Sequence, residues 1–278
     1  MEIKMTNLFE LINSECEFSE DLISTGITQL GKANLCKKSL YYQSFMCIST
    51  GLERLMKIII ILNEYYKNNY LLTQKQLKQK GHNLCVLFKE CESIGKAYDI
   101  EVSFSEPKYV YNTIIEILSD FSNTGNNNRY YNLNYISEAN TIGFELPKDA
   151  THRWYESLDY YIYENKISNK AKEKIVFQSQ SLGNILDTCC RVNFTSENNT
   201  SINTTKIALF EIQKQSLCAR YRCLFVSQIV RYLSTVLNHI SHKLHLVDKE
   251  NIPFTNEYFT LFCNKDSYLL TRKTFNNC

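Results

Sequence analysis

From Thr205 to about Val247 the chain contains neither glycine nor proline, and its apolar residues recur at three- and four-residue steps. Glycine and proline are the strongest punctuators of local structure. An unbroken amphipathic stretch of this length therefore predicts one long helix, reaching roughly 60 Å unless it breaks in the middle. The scarcity is general: 278 residues hold three prolines and eight glycines. A many-stranded sandwich needs a turn every few residues, so an all-α fold is expected. At 44% apolar and 22% charged, the chain can bury a sizeable core.

Ser39 to Asn69 predicts the first long helix. Tyr41, Phe45, Ile48, Leu52, Leu55, Ile59, Leu62 and Tyr66 form its apolar stripe. Glu53 and Lys57 stand four apart on the opposite side, in the favourable order. Gly51 costs about 1 kcal/mol against alanine and suits the close approach of a neighbour. The polar stretch TQKQLKQKGHN follows, then a shorter helix in NLCVLFKECESIGKAY, with Asn83 as its expected N-cap. Pro107 suits the first turn of a third helix, where its missing N–H is not needed. NTGNNN reads as a loop, and residues 129–149 read as irregular, punctuated by Gly143 and Pro147. Asp149 is a candidate N-cap for a helix over ATHRWYESLDYYIYEN. Another helix follows in SNKAKEKIVFQSQSLGNILDTCCRV, with Gly183 a candidate break. NFTSENNTSINTT is the most loop-like stretch, and the tail after Pro253 is expected to form a short hairpin or an irregular cap. No repeat of fixed period is present. The expected organisation is a helical bundle over residues 1–148 and a helical region over 149–278 packed on it.

A formal net charge of +2 provides no global pull toward nucleic acid, so any RNA contact must be a local patch. The eleven cysteines contain no C-x-x-C pair, and adjacent Cys189 and Cys190 suit neither a zinc ribbon nor an ordinary bridge. Most read as small buried residues in a reducing cytosol. The N-terminal stretch lacks the apolar core of a secretory signal. The longest apolar run, LMKIIIIL, is interrupted by Lys57 and too short to span a bilayer. A cytoplasmic protein without membrane contact is expected, and the Asn-x-Ser/Thr triplets near Asn193 and Asn203 read as accidental. No Gly-rich phosphate loop, H-E-x-x-H or nucleophile elbow occurs, and no cofactor is called for.

Three stretches together resemble the HEPN superfamily of small helical domains from prokaryotic toxin–antitoxin, abortive-infection and CRISPR-linked proteins. GLERLMK carries Glu53 and Lys57 in the family's Glu-x-x-x-Lys spacing. KGHNLCVLF resembles the His-x-Leu signature, with His82, Leu84 and Leu87 in the matching places. NNNRYYNLNY resembles the Arg-Tyr that closes the short domain of nucleotidyltransferase-partnered members. The resemblance covers about residues 38–136. It implies an up-down helical bundle, a homodimer, an antitoxin or defence-complex partner and, in active members, a metal-independent endoribonuclease. Such enzymes carry an Arg and a following His with four to six residues between them. The arginine steadies phosphate charge and the histidine moves a proton. Here no Arg–His pair has that spacing, so a non-catalytic scaffold that binds a partner protein, RNA or a nucleotide stands beside the nuclease.

Arg231 and His239, separated by seven residues, are the candidate catalytic pair. On an ideal helix they lie about 80° apart and roughly 12 Å along the axis. His82, Arg129 and His242 are the candidate RNA contacts. The helical wheel gathers Val226, Ile229, Leu233, Val236, Leu237, Ile240 and Leu244 on one side and Gln228, Arg231, Thr235, His239 and His242 on the other. Three readings of the polar side remain open: a solvated helix face, a nuclease groove completed by a second protomer, and a metal site. The metal reading lacks an acidic or Cys ligand at helix spacing, and no metal is expected. His82 also reads as a capping or packing residue, Arg129 as a loop salt bridge, Arg54 as part of a charged surface, and His152 with Arg153 as a solvated first turn.

Overall fold

The structure is a computed structural model and describes residues 6–101, 104–122, 133, 136–137 and 149–275. The fold is all-α. α1 spans Asn7–Leu30, capped by the Thr6 side chain, which accepts from the Phe9 amide. α2 spans Ser39–Asn68, α3 Gln74–Gln79, α4 Leu84–Ala97 and α5 Lys108–Ser122. α6 (Ala150–Trp154) runs through a π-helical segment (Tyr155–Asp159) into α7 (Tyr160–Lys166). α8 spans Asn169–Leu186, and α9 spans Thr205–His245 without a break. A 3₁₀ turn (Thr260–Cys263) and α10 (Asp266–Leu269) complete the described residues.

Several local expectations are met. The α2 stripe is buried from Tyr41 to Leu62, while Tyr66 is partly exposed. Asn83 caps α4 by accepting from the Val86 amide, and Asp149 caps α6 by accepting from the His152 amide. Lys57 donates to Glu53 at 2.7 Å. The NTGNNN loop, most of the irregular stretch before Asp149, and the Arg129 motif lie outside the described residues.

α1 was not expected. Its buried face mixes Ile12, Cys16, Ile23, Ile27 and Leu30 with Ser19, Ser24, Gly26 and Thr28. Small polar residues weaken the apolar periodicity, yet here they permit tight packing. A Cβ on Gly26 would fall 2.6 Å from Ile48 Cγ1 and 2.9 Å from the Ile48 backbone nitrogen. A Cβ on Gly51 would fall 2.6 Å from Ile23 Cγ1 and 3.0 Å from the Ser19 carbonyl. The two glycines face the opposite helix reciprocally, so Gly51 does serve a close approach.

The up-and-down order needs correction. α5 runs against both α2 and α4: Phe121 packs on Phe45 and Tyr42, the Leu84 amide donates to Ser119, and Lys108 pairs with Glu92. α4, however, runs in the same sense as α2, since His82, Cys91 and Tyr98 meet Glu53, Met56 and Asn63 in that order. The return along α2 is made by the polar stretch. It folds as α3, with a reciprocal capping box between Thr73 and Gln76.

Two further expectations change. Gly183 does not break α8. It admits α9 instead, because a Cβ there would lie 2.6 Å from Lys206 Cα. The loop-like stretch NFTSENNTSINTT contains a two-stranded antiparallel ladder, Phe194–Thr195 with Ser201–Ile202, reversing the chain between α8 and α9. The tail after Pro253 forms an irregular cap. Phe259, Phe262, Leu269 and Phe275 are buried in it, and the Phe275 amide donates to Thr28 at 2.8 Å.

One contiguous core joins Ile12 to Phe275 and includes residues on both sides of position 148. α9 is its axis. From Arg222 to Val230 every residue is buried, as in a helix enclosed on all sides.

Candidate functional site

The histidine-bearing face of α9 is divided between two environments. Arg231 is engaged by the C-terminal cap. Its Nε donates to the Phe262 carbonyl at 2.7 Å and Nη2 to the Asn264 carbonyl at 2.6 Å, and Asp266 lies 2.8 Å away as its ion-pair partner. Gln228, expected on the wet side, is buried in the same network. Its amide donates to Asp266 at 2.7 Å, and its carbonyl oxygen accepts from Tyr111. The wheel placed these residues correctly off the main apolar side. It had no means of showing that a tail thirty residues onward would cover them.

His239 lies two turns farther along and belongs to another cluster. Its ring sits 5.2 Å from that of Tyr98, whose hydroxyl donates to Asn63 at 3.0 Å. The Lys243 ammonium lies 4.6 Å from the Tyr98 ring and 5.9 Å from Tyr66. Burial, then the charges of Lys243 and His242, hold the His239 pKa below its usual 6.5, so the ring is neutral near neutral pH. His242 is exposed, 5.6 Å from Phe254. His245 packs 3.7 Å from Phe254, with Nδ1 2.6 Å from the Ile252 carbonyl.

His82 is elsewhere. Its Nδ1 lies 2.8 Å from Glu53, and its side chain is 77% exposed. Burial pushes the Glu53 carboxyl upward, but hydrogen bonds and charge from Lys57 and His82 outweigh it and hold the group below the usual range. α4 separates this trio from the His239 cluster. His82 precedes its cap and Tyr98 follows its last residue, a span of about 21 Å. The structure therefore brings His239 and His242 to one end of the bundle, leaves His82 toward the other end of α4, and ties Arg231 to the tail. Arg129 lies outside the described residues. Among the described residues no group of three His, Cys, Asp or Glu is placed to hold a metal ion, and no helix is long and apolar enough to cross a membrane.

The most concentrated polar chemistry was not anticipated. Arg222 and Asp159, both fully buried, form a two-pronged ion pair, with Nε donating to Oδ1 at 2.7 Å and Nη2 to Oδ2. Nη1 donates to the Ala33 carbonyl at 3.0 Å, and the guanidinium lies 5.2 Å from the Tyr41 ring. Burial pushes the Asp159 carboxyl upward against the pull of Arg222. Trp154, Leu158, Asp159 and Ile162 all face inward, and Asp159 closes the π segment. Nearby, Gln215 donates to buried Glu197 at 2.8 Å and accepts from the Leu35 amide at 2.6 Å. These groups join the α1–α2 connection, the ladder and α9. His152 and Arg153 do not form a solvated turn. His152 is buried with Nε2 3.0 Å from Glu156, and Arg153 pairs with Asp120. Arg54 pairs with Glu15 and lies 4.6 Å over Phe18.

Comparisons with protein-family models, with curated proteins and with solved structures find no match in any of the three. What fold and geometry define is a helical protein organised on one long central helix, with a neutral histidine in an aromatic and cationic cluster at one end.

Proposed function

We propose that the chain is a HEPN-like cytoplasmic protein of prokaryotic defence or toxin–antitoxin systems, homodimeric, that binds RNA without cutting it. The observation that carries this reading is the engagement of Arg231: two backbone carbonyls and Asp266 already occupy its guanidinium. Freeing it for a phosphate would leave the half-buried Phe262 carbonyl unpaired, at a cost of about 1–3 kcal/mol, and would break the ion pair with Asp266. The RNA part is supported by the cluster of Tyr66, Tyr98, His239 and Lys243 beside exposed His242. Aromatic faces stack unpaired bases, and neighbouring cations meet phosphates. An antitoxin or defence-complex protein is the expected partner of the same scaffold.

A second reading is a metal-independent endoribonuclease completed across the dimer. It draws on His239, whose neutral ring has the protonation state a general base requires.

The test is fluorescence anisotropy with a labelled single-stranded RNA in a chelating buffer, followed by gel analysis of that RNA. The binding reading expects intact RNA and weaker binding by the double variant His242→Ala/Lys243→Ala. RNA cut in the chelator, with cutting lost in His239→Ala, would establish the second reading instead. Failure to retain RNA at low salt would exclude both.

A further inference from the structure

At the other end of the bundle, the close of α1, the outer face of α9 and the C-terminal cap enclose a cleft of about 380 Å³. Its floor is Gly31, Ala219, Cys223 and Leu270, and its charged lining consists of Lys32, Arg220, Arg272 and Lys273. No carboxylate lines it, and among the described residues none of the four cations forms an ion pair. On a chain whose net charge is only +2, four cations around one depression with no ion-pair partner among the described residues are a local excess. From this excess we propose that the cleft is a binding site for an oligophosphate group, free or carried by a nucleotide.

A bland account exists: cations beside a helix C-terminus stabilise its carbonyls. The C-terminal end of a helix carries only roughly half a negative elementary charge, so a single lysine satisfies it and three cations remain. The geometry is also built. Gly31 lets α1 end directly on α9, since a Cβ there would lie 2.9 Å from Cys223 Sγ. Arg272 is held in place, with Nε donating to the Thr274 carbonyl at 2.9 Å and Nη1 to the Tyr268 hydroxyl at 2.8 Å. Further N–H donors remain for a ligand. Arg220 lies 4.9 Å from the Tyr221 ring.

The Arg220 fork, which can meet phosphate oxygens two-pronged, the remaining N–H groups of Arg272 and two lysine ammoniums match tetrahedral phosphate oxygens. The volume is at the lower end of the range for small-molecule sites, roughly 300–1,000 Å³. One inorganic phosphate would leave most of it empty, whereas a chain of phosphates spans it. Lys32 follows α1 and Lys273 belongs to the C-terminal cap, so a bound polyanion would bridge these two segments. Residue 220 lies nineteen positions before His239, about 28 Å along α9. The site is therefore separate from the proposed RNA cluster.

The experiment is calorimetric titration of the full chain at low salt with tripolyphosphate, ATP and AMP, in the wild type and in three variants: Arg220→Glu, the double variant Lys32→Ala/Lys273→Ala, and Lys78→Ala on exposed α3. Circular dichroism establishes that each is folded. Tripolyphosphate and ATP should bind and AMP should bind much more weakly. Both cleft variants should lose about tenfold or more, and Lys78→Ala should match the wild type. Raising the salt should weaken binding in the wild type, as expected for exposed charges. No heat with tripolyphosphate at millimolar concentration overturns the proposal, as does equal binding by Arg220→Glu. Displacement of tripolyphosphate from the wild type by single-stranded RNA at far lower concentration would assign the cleft to a nucleic-acid backbone and overturn the small-ligand identity.

Discussion

Arg222 in the middle of α9 and Asp159 at the end of the π segment lock together, with neither side chain reaching solvent. Removing one partner of a buried pair leaves the other charge without compensation. Asp159→Asn or Arg222→Ala should therefore cost about 3–5 kcal/mol in urea unfolding. The apolar double variant Arg222→Met/Asp159→Leu should recover much of that loss, because it also removes the burial cost of both charges. If Arg222→Ala left the urea midpoint where it was, the pair would carry no structural weight.

Gly26 and Gly51 set the separation of α1 and α2. Replacing either by alanine gains up to about 1 kcal/mol of helix propensity but drives a methyl group into Ile48 or Ile23 and into backbone. Overpacking of this kind costs roughly 1–3 kcal/mol, so both variants should unfold at lower urea. The double variant should not be additive, because one widening of the helix pair relieves both clashes.

Arg231→Ala should loosen the C-terminal cap rather than the bundle. Hydrogen exchange over residues 258–275 should accelerate, while amides of α2 and α4 keep their protection. Arg231→Lys should rescue little, since an ammonium lacks the fork that meets two carbonyls and Asp266 at once. Uniform acceleration across the chain would contradict this assignment.

His239 titrates below the usual imidazole value of 6.5, so folding disfavours its protonated form. Its contribution to stability is complete above the unfolded value and declines as pH falls through 6.5 toward the lower folded value. An NMR titration should find its midpoint below 6.5. His239→Gln should flatten the fall in stability on the acid side of 6.5, and an unchanged slope would show that other groups cause it.

Much of the helix inventory was legible before the fold was known. The stripe from Tyr41 to Leu62, the cap at Asn83 and the cap at Asp149 rest on neighbours three or four residues apart, which local pattern records. α1 escaped because its inward face alternates isoleucine with serine and glycine, useful only once α2 lies against it. Of the candidate site, His239 and His242 were placed correctly off the main apolar face, beside each other. The engagement of Arg231 was invisible, because its partners are carbonyls of Phe262 and Asn264, more than thirty residues away, which have no sequence signature.

The scarcity of glycine and proline and the three- and four-residue spacing determined an all-α chain with one uninterrupted helix from Thr205 to His245, because helix formation answers to near neighbours. Tertiary structure alone decided that α4 runs with α2, that Asp159 meets Arg222, and that four cations from three distant segments line one cleft. Those outcomes depend on which surfaces meet in space, and the free energy of such contacts belongs to pairs of residues that no local window contains.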